Sequence, residues 1–221
     1  MFPLYDSSEK DTFPFVNYVL IALNIFIFIV QVSSPNFDRF IYQNAFIPRS
    51  FELFNINSYG LIVTSMFLHG GIWHILSNMW FLHIFGDNVE DRMGHVGYVL
   101  FYLFAGIIAT LTQYFLNPGS AIPLIGASGA ISGVAGAYFI LFRNSKIKSL
   151  ILSGLYVTTA NLPVWLYLGY WFIIQLISGF TTFDPSSEGG IAWFAHIGGF
   201  IIGVLVALLI RDKKRVIRIN S

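Results

Sequence analysis

An all-α membrane protein, a bundle of six transmembrane helices in one domain over residues 1–221, is the fold class that three features predict. Of its 221 residues, 56% are hydrophobic, 18% aromatic and only 10% charged, more apolar surface than a soluble core hides. Apolar stretches long enough to cross about 30 Å of hydrocarbon alternate with short polar runs. Positive charge is distributed unevenly between those runs. The 12 Lys+Arg nearly balance 11 Asp+Glu, so the net charge of +1 carries no nucleic-acid footprint and no nucleic-acid partner is expected. With no cysteine, disulfides, thiolate metal sites and a cysteine nucleophile are excluded.

Each span follows from reading charge to charge. Residues 1–11 are short and polar, without the basic start and small-residue cleavage site of a signal peptide, so the amino terminus is expected to be retained. Thr12 to Phe37 holds the first span. Leu53 to Gly86 is free of charge and holds the second, over Leu61 to Phe85, before the polar run from Gly86 to His95, which is expected to be a loop. Met93 to Phe142 is too long for one crossing and is divided into the third and fourth spans by Asn117-Pro118-Gly119-Ser120 and Pro123. Ser149 to Phe183, with Asn161 and Pro163 in its middle, is read as one span after Pro163. Gly189 to Ile210 is the sixth, and residues 211–221 form a basic tail.

Six spans place both termini on one side. Lys10, Arg92, Arg143, Lys146, Lys148, Arg211, Lys213, Lys214, Arg215 and Arg218 then fall inside, against Arg39 and Arg49 outside. Two spans within Ser149 to Phe183 satisfy the charge rule as well, moving Lys10 out and Arg39 and Arg49 in. Chemistry separates the two counts.

Polar side chains within membrane spans mark functional positions, because unpaired polar groups in hydrocarbon are costly. Three clusters stand out. His69, His74 and Asn78 lie in the second span, with His74 and Asn78 four apart and therefore on one face. Gly126-Ala127-Ser128-Gly129 opens the fourth span after the proline-containing loop, which puts Ser128 near a helix amino terminus. Ala195-His196-Ile197-Gly198-Gly199 lies within the sixth, about 8 Å below its outer end. Ser128 and His196 meet only if the fourth and sixth spans both enter from outside, which requires one intervening span. A serine hydroxyl is a weak nucleophile until a base removes its proton, and His196 is placed to do so. The Ser128 N–H with the His74 and Asn78 side chains can then donate to a developing oxyanion. Asp184 and Glu188 belong to the loop before the sixth span, so no carboxylate completes a triad. Small residues four apart, Gly129-Gly133-Ala137 and Ala195-Gly199-Gly203, predict that the two dyad helices pack closely.

These motifs, His74-x-x-x-Asn78, Gly126-Ala-Ser128-Gly129 and Ala195-His196-x-Gly198-Gly199-x-x-x-Gly203, together resemble the rhomboid signature, and the Gly86 to Arg92 run resembles the family's loop. The resemblance covers the second to sixth spans. It implies a rhomboid-like bundle in the six-helix prokaryotic form, multi-pass in a bacterial or archaeal cytoplasmic membrane with both termini cytoplasmic. It also implies a serine endopeptidase that cuts transmembrane protein substrates, with Ser128 as nucleophile, His196 as base and His74 and Asn78 on the oxyanion. Membrane lipids are the other partner, and no cofactor and no metal are expected. The sequence departs from the family at Gly60-Leu61, where many members have Trp-Arg, and at Ser132, where many have an aromatic residue stacked on the histidine.

The competing readings are a catalytically silent rhomboid-like protein that binds membrane clients, and a small transporter. Ser128 and His196 together speak against the first, and the lack of an acidic residue within a span speaks against the second. His69 and His74, five apart and about 140° around a helix, do not readily share a metal. His83 and His95 are read as structural or interfacial, and Trp165 to Trp171 as lipid-facing or interfacial. Substrate access is expected beside the fifth span, with Phe180 to Gly190 as a cap. If both termini are cytoplasmic, single cysteines at Ser7 and Ser221 stay unlabelled by an impermeant thiol reagent in intact cells; labelling of either from outside contradicts the topology.

Overall fold

Hydropathy and turn residues divide the chain much as its architecture does, except that the expected second span, Leu61 to Phe85, is interrupted: one helix ends at Ser65 and the next begins at Ile72, after the Gly70-Gly71 pair. The computed structural model describes residues 1–8, 10–52, 54–153, 156–181 and 192–211. Among them are helices α1 (Phe15–Val32), α2 (Phe37–Asn44), α3 (Ile56–Ser65), α4 (Ile72–Met93), α5 (His95–Leu116), α6 (Ser128–Leu141), α7 (Val164–Thr181) and α8 (Trp193–Ile210). Strands β1 (Phe2–Asp6), β2 (Lys146–Ser153) and β3 (Tyr156–Pro163) form an antiparallel sheet in that order. The chain is a membrane protein built mainly of helices. Among the described residues, α1, α5, α7 and α8 are long and apolar enough to cross a bilayer. Helix α6 is apolar but has 14 residues, about 21 Å of helix, and its residues from Ala130 to Tyr138 are all buried by its neighbours. Helix α4 has 22 residues, but Asp87, Glu90, Asp91 and Arg92 occupy its last turns.

Those last turns correct the expected loop from Gly86 to His95. The helix continues to Met93 and ends at Gly94, whose φ of 74° favours glycine. Buried charge is tolerated there because each acidic group has a partner from the chain's beginning. The Glu90 carboxylate accepts from the backbone N–H groups of Val16 at 2.9 Å and Asn17 at 2.7 Å, capping the positive end of α1. Glu90 also pairs with His95, and Asp87 with Lys10. The backbone N–H and hydroxyl of Thr12 donate to Asp91 at 2.9 and 2.6 Å. A single-sequence reading sees four charges and misses their partners.

The sheet is a second addition to the sequence reading. Strand β1 pairs with β2, Phe2 opposite Leu150 and Asp6 opposite Ile147. Phe2 stacks on Trp80 of α4, whose indole N–H donates to the Pro3 carbonyl at 2.7 Å. Asp6 accepts from Asn88 and from Tyr138, joining the strand to α4 and α6. Because Tyr156–Pro163 is strand rather than helix, α7 begins at Val164, directly after Pro163, as expected. Leu53, the tail from 212 and the loop residues 182–191, which include Asp184, Glu188 and most of the expected cap, lie outside the described residues.

Helix α1 carries three buried amides seven residues apart, Asn17, Asn24 and Gln31. Asn17 donates to the Leu82 carbonyl at 3.1 Å and accepts from the Tyr98 hydroxyl at 2.8 Å, while Asn24 donates to Leu20 of its own helix. Gln31 donates to the His69 carbonyl at 2.6 Å and accepts from its N–H at 3.1 Å, so one side chain holds both backbone groups of the turn before α4. The segment between α1 and α3 is anchored without the Trp-Arg pair. A bridge joins Phe46 to Leu124, the Arg49 N–H donates to the Ser120 carbonyl at 3.0 Å, and Phe46, Phe51 and Tyr114 form an aromatic cluster.

At the centre, α6 and α8 meet backbone to backbone. A Cβ at Gly199 would overlap the Gly129 carbonyl oxygen, one at Gly203 the Gly133 carbonyl oxygen, and one at Gly136 the Phe200 carbonyl oxygen. None of these three partners is a flexible side chain that can turn aside. Gly199→Ala is therefore expected to lower the unfolding temperature in detergent, by the equivalent of about 1–3 kcal/mol. Gly60→Ala, where an added Cβ meets nothing within 4 Å, is expected to cause no loss. Equal behaviour of the two variants contradicts the close-approach account.

Candidate active site

The turn into α6 is set by glycine. Gly126 has a φ of 116°, and its N–H donates to the Ser65 carbonyl at 3.0 Å. A Cβ there would lie 2.8 Å from His74 Nε2, so its absence lets the His74 ring rest against the segment that presents Ser128. Ser128 is the first residue of α6, where backbone N–H groups lack intrahelical acceptors.

His196 is one turn into α8, and its Nε2 lies 2.8 Å from Ser128 Oγ. Its Nδ1 lies 2.8 Å from Gln175 Oε1 on α7. An amide oxygen only accepts, so Nδ1 carries the hydrogen and Nε2 presents a lone pair to the serine hydroxyl. The hydroxyl donates to Nε2, the geometry a general base needs before the nucleophile attacks. The Nδ1 partner is a neutral amide rather than a carboxylate.

Asn78, Ser128 and His196 line one cavity of about 210 Å³ with Ser77, Phe81 and Trp171. The Asn78 Nδ2 donates to the His74 carbonyl at 3.0 Å, one helical turn back, and its second hydrogen remains for a ligand. His74 Nδ1 accepts from the Gly70 N–H at 3.2 Å, which leaves the hydrogen on Nε2, the nitrogen facing Gly126. His74 and Asn78 both belong to α4, as the four-residue spacing requires. His69 does not, which corrects its placement within the same helix: Gly70-Gly71 precedes the start of α4 at Ile72, and His69 lies in the turn before it. The 140° argument for keeping His69 and His74 apart therefore fails, and their ring centroids are 5.1 Å apart. The His69 ring is fully buried and meets Phe28 edge-on.

Two further side chains belong to the site. Gln175 is a lone amide in an apolar helix, and the rule that flagged His74 and Asn78 flags it equally. Trp171, grouped by sequence with the lipid-facing aromatics, packs its ring 6.2 Å from that of His196, whereas Trp165 at the start of α7 is exposed. Trp193 also approaches His196, edge-on at 6.2 Å. Ser132, where an aromatic ring was the family expectation, donates to the Ser128 carbonyl at 2.6 Å. His95 is paired with Glu90, and His83 lies beside Tyr18 and Trp80.

Residues 57–213 match the family model described as Rhomboid domain. Among similar proteins, the chloroplastic Rhomboid-like protein 11 of Arabidopsis thaliana is 30% identical over 162 residues, 71% of this chain and 54% of that protein. Rhomboid protease GluP of Bacillus subtilis is 29% identical over 198 residues, 88% of this chain and 34% of its own length. The mitochondrial Rhomboid protein 1 of Saccharomyces cerevisiae is 24% identical over 214 residues, 92% of this chain and 56% of that protein. This chain thus spans little more than half of these relatives at most. They come from organelles as well as a bacterium, so the expected bacterial or archaeal membrane draws no support from them.

Proposed function

We propose that this chain, which belongs to the rhomboid family, is an intramembrane serine endopeptidase that hydrolyses peptide bonds in or near the helices of transmembrane proteins. The observation that carries this reading is the 2.8 Å contact between Ser128 Oγ and His196 Nε2, joining two helices at the wall of an open cavity. His196 takes the proton as Ser128 Oγ attacks a substrate carbonyl carbon. The carbonyl oxygen becomes an oxyanion, to which the Ser128 N–H, Asn78 Nδ2–H and His74 Nε2–H can donate. When the tetrahedral intermediate collapses, His196 gives its proton to the leaving amine and the acyl group stays on Ser128. A water, deprotonated by the same nitrogen, releases the second product.

The proposed arrangement has six spans in a single domain, the four long apolar helices with α4 and α6, and both termini in the cytoplasm. Two features support it: the ten-to-two division of basic residues, and the need for α6 and α8 to enter from the same side if Ser128 and His196 are to meet. Turnover of a transmembrane substrate separates cleavage from silent binding of clients.

Ser128→Ala and His196→Ala are expected to abolish cleavage of a model transmembrane substrate in detergent while the protein still inserts and folds. Asn78→Ala is expected to reduce the rate by roughly 10²–10³-fold, or less where His74 and the backbone compensate. Wild-type turnover by Ser128→Ala refutes the assignment of the nucleophile, and an inert wild-type protein that retains the substrate supports the binding reading. A second expectation concerns the substrate. Bonds within an intact helix are shielded by their own hydrogen bonds, so local unwinding must precede attack. Gly or Pro beside the scissile bond is expected to speed cleavage relative to Leu in paired substrates. Equal rates would show that unwinding is not the selecting step.

A further inference from the structure

An imidazole serves as a base toward serine only from the tautomer whose lone pair faces the hydroxyl, and only while its ring is held in that plane. In a Ser-His-Asp triad a carboxylate does both. Here the pair lies on two helices packed through glycine, and Ser132 supplies no ring against His196 from α6. Beyond Ser128, and Trp193 of its own helix, the groups that meet the histidine ring come from α7.

We propose that Gln175 is the positioning residue of the site, its amide oxygen accepting from Nδ1–H of His196 and so fixing the tautomer that presents Nε2 to Ser128. This inference rests on the reading of Ser128 and His196 as the catalytic pair. Its geometry has three parts. Gln175 Oε1 is 2.8 Å from Nδ1 on the side of the ring away from Ser128, and His196 thereby bridges α6 and α7. Gln175 is 5% exposed, so bulk water does not compete for this bond. Trp171, one helical turn earlier on the same face of α7, packs against the same imidazole. One face of α7 thus supplies both the Nδ1 acceptor and a ring beside the imidazole.

The choice of an amide has a physical reason. A carboxylate in this place would be a buried charge without a cationic partner whenever His196 is neutral, which is costly within a membrane. An amide oxygen gives the same directionality without a charge. It also stabilises the imidazolium less, so the proton is more readily passed on to the leaving amine.

The test compares the full-length wild-type protein with Ser128→Ala, Gln175→Leu and Gln175→Glu in one detergent, measuring kcat and KM on one transmembrane substrate across pH. Gln175→Leu keeps the volume and removes the acceptor. It is expected to lower kcat by roughly 10²-fold with KM unchanged, the effect of a misplaced catalytic group. Gln175→Glu restores an acceptor and adds a charge that favours the protonated imidazole. It is expected to recover kcat at alkaline pH and to move the acid limb of the kcat profile upward. A wild-type kcat in Gln175→Leu, or a Gln175→Glu profile whose acid limb coincides with that of wild type, overturns the proposal. If Gln175→Leu does not fold, the acid limb of Gln175→Glu decides alone. Undiminished turnover in Ser128→Ala is a different result, because it removes the catalytic pair itself and is seen before any Gln175 variant is compared.

Discussion

Gly129, Gly133 and Gly136 on α6 face Gly199, Phe200 and Gly203 on α8 with carbonyl oxygens where side chains would otherwise be. Two helices bearing ordinary side chains pack with axes 8–10 Å apart. Glycine contacts let them come closer, and two short side chains, one from each helix, can then form a hydrogen bond. The remaining structure serves this contact. Helix α5 packs alongside it, with a Cβ at Gly198 blocked by Thr112, and α4 closes the third side with Asn78 and the His74 ring. A small residue at these positions is a geometric condition for the close approach of α6 and α8 as well as for stability.

Polar bonding is arranged around that apolar centre in two layers. At one end of α4, Asp87, Glu90 and Asp91 gather Lys10, the first turn of α1, Thr12 and His95, while Asp6 ties β1 to α4 and α6. At the other end, Gln31 holds both backbone groups of His69 and Gly70 fixes the tautomer of His74. Helix α4 therefore has its acidic end secured by the beginning of the chain and its histidine end fixed relative to Ser128. The His74 ring in turn lies against Gly126, two residues before Ser128.

What could be read in the sequence was whatever is local in it. The Asn117 to Pro123 break, the start of α7 after Pro163 and the four-residue glycine pattern depend on neighbours along the chain, and each has its counterpart in the structure. The run from Gly86 to Met93 reads as a loop because most of the groups that satisfy its carboxylates, Lys10, Thr12 and the N–H groups of Val16 and Asn17, lie more than 70 positions away. Strand β1 meets β2 across about 140 residues, and no periodicity in Phe2–Asp6 announces a partner that distant. Gln175 was different. Its signal, an amide within an apolar helix, is present in the sequence but belongs to no motif of several residues. Trp171 carried no such signal, since only three-dimensional packing separates it from the exposed Trp165 on the same helix.

The three amides of α1 bear on how the protein is made. Asn17 and Gln31 find their partners at Leu82, Tyr98 and His69, which are 38 to 81 residues further along. A ribosome delivers α1 to the membrane before any of those partners exists, and unpaired amides in hydrocarbon are costly. Until α4 and α5 follow, the helix must wait with its amides toward headgroups, water or the insertion machinery. Biogenesis on this account has a fixed order: the first helix is inserted early but docks late, when the segments around His69, Leu82 and Tyr98 arrive to satisfy it.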